Sequence, residues 1–367
     1  MRQRFFALTT LCLSIGISLY AAEWILAYQR QSIAHSDRLQ PGMIEYDSRL
    51  GWRLKPNWFG SHQHHDFEVD YSINRFGFRG RQPSQSGARR YAVVGDSFSF
   101  GQGVDEGQTF ASLLDESLDG AEFLNFSVPG YSTDQQLLMI RDRVRLFRPD
   151  VLLLVAYLGN DLFDNARPFP LQGDHAKPFF HLHANGRLEL RNSPVPVDSR
   201  PAAARTDSLT SLVLGESRPQ RTLLQRWLGG LEIARRLGLF QPTHESGDAG
   251  FEARFAYHLE LFQALVGEIA DSTKEWGADL KLVLLPGRSL VEQPRSLSAG
   301  YQDFLRRALL REYSAQGGVE IIDLAAALRD AREEGVTGLY YPNEGHLSPA
   351  GHAQVAGVLS DHLRGNR

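Results

Sequence analysis

The sequence predicts an α/β protein, a three-layer α/β/α domain around a mostly parallel five-stranded sheet, set behind an N-terminal apolar helix. Three observations carry this reading. Short apolar strands alternate with helical segments over 91–165 and again over 280–363, and such alternation implies a parallel sheet with helices on its faces. Val151-Leu-Leu-Leu-Val-Ala156 is an uninterrupted apolar run, as in a strand covered on both sides. Ahead of both regions stands an apolar stretch from Phe5 to Ala22.

Composition narrows the function classes. The 367 residues allow one large α/β domain with insertions, or two smaller ones. At 42% apolar and 10% aromatic, the chain has enough material for a substantial core, which excludes wholesale disorder. A net charge of −4 with no arginine-rich stripe argues against nucleic acid as a partner. The single cysteine, Cys12, excludes an internal disulfide framework, a CxxC redox pair and a cysteine zinc site.

Residues 1–30 read as a transmembrane anchor or a signal peptide. Arg2 and Arg4 precede the apolar run and orient the N-terminus to the cytoplasm, so the bulk of the chain is exported. Tyr20, Trp24 and Tyr28 suit a membrane interface. A cleavage site after Ala22 would place bulky Tyr20 at the −3 position, which favours the anchor over a cleaved signal. The run is apolar on every face, unlike a core helix of a soluble domain, and Cys12 has no lipidation context.

Residues 31–85 read as a tether and a small N-terminal module. The stretch 31–60 is polar and irregular, punctuated by Pro41, Gly42, Pro56 and Gly60. Residues 67–73 alternate like a half-exposed strand, ending at the glycine-rich turn Asn74-Arg-Phe-Gly-Phe-Arg-Gly80, and 81–89 have loop composition.

Residues 86–365 form the main domain. Strands are expected at 91–94, 122–126, 151–156, 280–285 and 319–324. Helices are expected at 109–118, 133–147, 251–275, near 298–315 and at 349–363, the second opened by Ser132, Thr133 and Asp134. The alternation stops after Asn165, which marks an insertion over 166–250. Within it, 179–183 and 187–190 flank Ala184-Asn-Gly186, a hairpin signal, and 194–222 are rich in Pro, Ser and Arg and expected to be mobile.

The strand at 91–94 runs straight into Gly95-Asp96-Ser97. Gly95 allows a tight turn, and Ser97 lands at the sheet edge where open parallel sheets bind ligands. Three further segments reach the same edge: Asn125-Phe-Ser-Val-Pro-Gly130 after the second strand, Leu158-Gly159-Asn160-Asp161 after the third, and Asn343-Glu344-Gly345-His346 before the last helix. Together they supply what acyl transfer needs: a nucleophile, a base and donors for an oxyanion. The backbone N–H groups of Gly130 and Ser97 and the Asn160 amide are the candidate donors.

In these four ordered blocks the chain resembles the SGNH (GDSL-type) hydrolase family. The resemblance covers 91–165 and about 280–363 and implies a flavodoxin-like three-layer domain. It implies Ser97 as nucleophile, Gly130 and Asn160 in the oxyanion hole, and His346 as general base, with no metal and no organic cofactor. The extended Gly95-Asp-Ser-Phe-Ser-Phe-Gly-Gln-Gly-Val104 and the upstream Asn74-x-x-Gly-Phe-Arg79 are similar to membrane-attached bacterial members. That implies a single pass through the bacterial inner membrane with the catalytic domain in the periplasm or outside, or secretion after signal cleavage.

The family usually places Asp three residues before the histidine, and Asn343 stands there. A neutral side chain orients an imidazole without stabilising its charged form. Glu344, two residues before His346, is therefore the expected orienting acid; a Ser97–His346 dyad aided by a backbone carbonyl is the alternative.

Other residues have plainer readings. Ser97, taken alone, reads equally as a helix cap, and His346 as a helix-entry residue. His352 is expected to be structural, and Asp96 and Asp161 to hold loops. His62, His64 and His65 are expected on a solvated loop rather than around a metal, and the same caution applies to His181 and His183. Trp52, Trp58 and Phe59 are expected to pack the tether.

The expected activity is ester hydrolysis through a Ser–His acyl-enzyme, on a small-molecule or carbohydrate O-acyl ester in the cell envelope, O-acetylated carbohydrate among them. The alternatives are an O-acyltransferase that modifies surface polysaccharide, and a catalytically inactive carbohydrate-binding envelope subunit.

Overall fold

Val151–Tyr157 is the central strand of the sheet, with Val151 to Ala156 at most 1% exposed. The computed structural model describes residues 2–84, 87–171, 173–197, 228, 230–236, 248–316 and 318–365. The strands in chain order are β1 Arg38–Leu39, β2 Ile44–Asp47, β3 Gly51–Leu54, β4 Phe59–His64, β5 Phe67–Ser72, β6 Arg89–Val94, β7 Ala121–Asn125, β8 Val151–Tyr157, β9 Phe179–Leu182, β10 Leu188–Arg191, β11 Asp279–Leu285 and β12 Glu320–Asp323.

The main sheet has the order β12-β11-β8-β6-β7, and every pairing in it is parallel. Alternate side chains leave opposite faces of a strand, and this period separates two cores. Ala92, Leu124, Leu152, Leu154 and Leu282 pack under the helices Thr133–Asp142, Asp248–Glu275 and Leu297–Gln316. Tyr91, Phe123, Leu153, Val155 and Val283 pack under Phe110–Ser117, Leu324–Glu333 and Pro349–Gly365. Each fully buried Leu, Val or Phe contributes roughly 1.5–3 kcal/mol relative to exposure. The α/β/α sandwich follows, and the strands' C-terminal ends gather at one edge.

Residues 31–60, expected to be irregular, carry real structure. The N-terminal helix runs over Arg2–Ala34, β2 pairs antiparallel with β3, and β1, β4 and β5 form a second antiparallel sheet. Trp52, Leu54, Val69 and Tyr71 join the first core directly. These strands are two to six residues long, and β4 reads Phe-Gly-Ser-His-Gln-His, so alternation over so short and polar a run gives no apolar signal. An isolated bridge between Arg79 and Asn125 joins this segment to the β7 edge of the main sheet.

Other differences are local. The expected helix at 133–147 is an α-helix only to Asp142, followed by a 3₁₀ turn over Val144–Phe147. It ends at Arg148, whose φ is 48° and which precedes Pro149, a position that disfavours helix. Short helices over Ser97–Phe100, Asp161–Asp164 and Arg288–Glu292 are too brief to show a period. Leu324–Glu333 does show one, with Leu324, Ala325, Leu328 and Ala331 buried, yet it directly follows a strand and reads as its continuation. The β9–β10 hairpin forms as expected. Most of 194–222 lies outside the described residues.

The helix Arg2–Ala34 is long and apolar enough to cross a membrane or serve as a signal sequence, with mean hydropathy 1.8 over its apolar window and none of that window buried.

Candidate active site

Gly95 closes β6 against the neighbouring strand: a Cβ there would sit 2.9 Å from the Ser99 Cβ and 3.1 Å from the Val155 carbonyl oxygen. The Asp96 side chain accepts the Phe98 N–H at 3.0 Å and caps the short helix that Ser97 begins. Asp96 thus holds the turn. Burial pushes its carboxyl up to about 6, against the pull of His346 and of backbone N–H groups.

Ser97 Oγ lies 2.6 Å from His346 Nε2 across 249 residues of sequence. On the far side of the ring, His346 Nδ1 lies 2.6 Å from Glu344 Oε1. One tautomer satisfies both contacts: Nδ1–H donates to Glu344, and bare Nε2 accepts the serine proton. Phe98 packs against the imidazole at 4.3 Å between centroids, with Tyr157 stacked behind Phe98 at 4.1 Å.

Glu344 is itself held. Its Oε2 accepts the His346 backbone N–H at 2.9 Å, and Gln102 Nε2 donates to Oε1 at 2.8 Å. Its side chain is only 10% exposed. Burial pushes the carboxyl up, but the hydrogen bonds and charge of His346, with Gln102, outweigh it and hold Glu344 below the usual carboxylate range. Asn343 faces elsewhere. It is exposed, and both its backbone N–H and its side-chain amide donate to Asp66, at 2.8 and 2.6 Å.

Gly130 sits at φ 80°, where a side chain is strained, and a Cβ there would meet the Trp52 ring at 3.2 Å. Trp52 donates from Nε1 to the Pro129 carbonyl at 3.1 Å and so props this turn. Among the described residues, the Gly130 N–H has no acceptor. Asn160, half-buried at the end of β8, gives one amide hydrogen to Asp164 Oδ2 at 2.6 Å and keeps the other. Asp161 Oδ2 accepts the Tyr157 N–H at 2.9 Å, so it too holds a loop. Ser97, Gly130 and Asn160 thus follow β6, β7 and β8 at one edge of the sheet.

Sequence reasoning missed three residues. Gln102 and Asp66 both contact the Glu344 segment. Arg79, 1% exposed, donates to the carbonyls of Phe100, Gly101 and Val104 at 2.8, 2.6 and 2.6 Å and pairs with Glu106 at 3.1 Å, locking the loop after the serine. The Asn74-to-Arg79 motif was the only available signal for it.

The remaining histidines are placed differently from expectation in two cases. His62 and His64 lie on β4, not on a solvated loop. His62 is 4% exposed and bridges Tyr71 Oη at 2.9 Å and Asp37 at 2.7 Å, and His64 accepts the Asp66 N–H at 3.1 Å. His352 is buried in its helix and accepts the Phe110 N–H at 3.2 Å. Trp52 and Trp58 are buried, whereas Phe59 is exposed. Among the described residues, no group of three His, Cys, Asp or Glu has metal-binding geometry.

Residues 93–354 match the model of the GDSL-like lipase/acylhydrolase family. No curated protein matches the chain. Among solved structures it is similar to a catalytic mutant of an acetylxylan esterase from Geobacillus stearothermophilus, at 10% identity and TM-score 0.43, covering 76% of this chain and 96% of that one. It is also similar to a member of the lipolytic G-D-S-L family from Veillonella parvula, at 12% identity and TM-score 0.39, covering 74% and 96%.

Proposed function

The chain belongs to the GDSL-like lipase/acylhydrolase family, and from that premise we propose that it is a serine ester hydrolase working through Ser97, His346 and Glu344. The observation that carries the proposal is the continuous contact from Ser97 Oγ through the imidazole to Glu344, 2.6 Å at each step.

Ser97 Oγ bonds to the ester carbonyl carbon while His346 Nε2 takes the serine proton. Ionised Glu344 stabilises the resulting imidazolium. The N–H groups of Gly130 and Ser97 and the free Asn160 amide hydrogen face the developing oxyanion. His346 then returns the proton to the departing alkoxide, leaving an acyl-serine. Water attacks that carbon and gives a proton to His346, which passes it to Ser97 Oγ as the acyl C–Oγ bond breaks, releasing the acid and free Ser97.

The substrate class in this proposal is an O-acyl ester of the cell envelope, an O-acetylated carbohydrate first among them. The helix Arg2–Ala34 supports it as a membrane anchor, which keeps the site beside envelope polymers. The test is labelling by a fluorophosphonate, wild type against Ser97→Ala, followed by acetate release from O-acetylated oligosaccharides. Labelling lost in Ser97→Ala supports the proposal; equal labelling of both proteins sinks it. Acylated sugar in place of free acetate, when an acceptor is added, reassigns the site to acyl transfer.

A further inference from the structure

The acid and base occupy a short loop, and the fold reaches across to grip it. Asp66 lies in the turn between β4 and β5, 277 residues before Asn343. Its Oδ2 accepts two backbone N–H groups, from Asn343 at 2.8 Å and Glu344 at 2.9 Å. Its Oδ1 accepts the Asn343 side-chain amide at 2.6 Å. The Asp66 side chain is 4% exposed, while its partner Asn343 lies at the surface. Next to it, Phe67 packs on Tyr341 at 5.2 Å, and Tyr341 Oη donates to the Gly103 carbonyl at 2.7 Å. The hairpin tip therefore touches both the loop of the acid and base and the loop that follows the serine.

We propose that Asp66 is a positioning residue for catalysis: it fixes the backbone at 343–344 so that the Glu344 carboxylate faces His346 Nδ1, and it keeps the Asn343 amide away from the ring. This rests on the assignment of Ser97, His346 and Glu344 above. A carboxylate that accepts two successive backbone N–H groups allows that segment little freedom, and the bonds are charge-assisted. Burial pushes the Asp66 carboxyl up, but the Asn343 and Glu344 bonds and nearby His64 outweigh it, so Asp66 remains an anion. The carboxylate missing at position 343 thus has a counterpart supplied by a distant hairpin, acting on the loop instead of on the imidazole.

A double-mutant cycle tests this, because two residues acting through one geometry are non-additive. The full-length variants Asp66→Asn, Glu344→Gln and the double variant are assayed with p-nitrophenyl acetate, alongside unfolding midpoints. Asp66→Asn is expected to lower kcat about 10- to 100-fold with KM within about twofold, the scale of a misplaced catalytic group. In the Glu344→Gln background the same change is expected to cost less than about twofold. Asn343→Ala, which removes only the side-chain bond, provides a milder variant and is expected to cost a few-fold in kcat, again only while Glu344 is present. Equal losses in both backgrounds, or an unchanged kcat in Asp66→Asn, overturn the proposal and leave the assignment of Glu344 standing. An unchanged kcat in Glu344→Gln overturns both.

Discussion

The Glu344 carboxylate grips His346 twice, at the ring through Nδ1 at 2.6 Å and at the backbone N–H at 2.9 Å. Two residues apart in a loop turned by Gly345 at φ 94°, they form a compact unit. Asn343, which stands three residues before the histidine, is bonded to Asp66 instead.

Glu344→Gln is expected to lower kcat by about 10³–10⁴ with little change in KM, as when a triad carboxylate becomes an amide. Asn343→Asp, which places a carboxylate three residues before the histidine, is expected to reduce activity. The new carboxylate would face Asp66, lose the side-chain donation and add like-charge repulsion. Steady-state kinetics on one aryl ester checks both; a gain of activity in Asn343→Asp would contradict the placement.

Asn160→Ala is expected to lower kcat about 10²- to 10³-fold, the cost of one oxyanion donor. It also leaves the Asp164 carboxylate without its amide partner. Gly130→Ala is expected to cost about 1–3 kcal/mol through its left-handed backbone and to crowd Trp52. Activity paired with chemical denaturation separates the two effects.

Lys177 and Asp134 form an ion pair with both side chains fully buried, where the helix Thr133–Asp142 begins. Burial pushes the Asp134 carboxyl up while Lys177 pulls it down. Lys177→Met alone is expected to destabilise by about 3–5 kcal/mol, because it strands a buried carboxylate. Adding Asp134→Leu is expected to recover most of that loss. Urea unfolding of the three proteins measures it.

His352 is buried, and desolvation with the charges of Arg79 and His346 pushes its pKa down to about 3. The unfolded chain takes up this proton below about pH 6.5 while the native state does not, so the contribution is full above that pH and falls as pH drops toward 3. Buried Asp96 and Asp164, both pushed up to about 6, act in the opposite direction. The difference between wild type and His352→Gln isolates the histidine. The wild type is expected to lose stability relative to the variant by up to about 1.4 kcal/mol per pH unit below 6.5, read from unfolding midpoints.

An uncleaved anchor predicts that the full-length protein sediments with membranes, resists carbonate extraction and retains Arg2 and Arg4 in its intact mass. A soluble product beginning near Glu23 would identify the helix as a signal sequence instead.

The main sheet was legible because its two central strands are seven residues long and mostly buried, so Val151 to Ala156 announces itself by hydrophobicity alone and Leu282 to Leu285 nearly so. The blocks of Ser97, Gly130 and Asn160 were legible because each follows a strand of that sheet, and the block of His346 because it stands just before the last helix. The N-terminal strands were not, since β4 alternates glycine, serine, histidine and glutamine and is buried only by what packs on it.

The same division holds at the chemistry. Local order along the chain determined the α/β/α class, the apolar leading helix, and the candidates Ser97, Gly130, Asn160 and His346. It also named Glu344 from its distance in residues to the histidine. Only the tertiary structure decided that Glu344 faces the ring while Asn343 turns away, because that depends on Gln102 and Asp66, 242 and 278 residues from Glu344. Contacts of that span leave no period or spacing in a sequence. They arise when a hairpin tip and a loop after the serine are packed against the same turn.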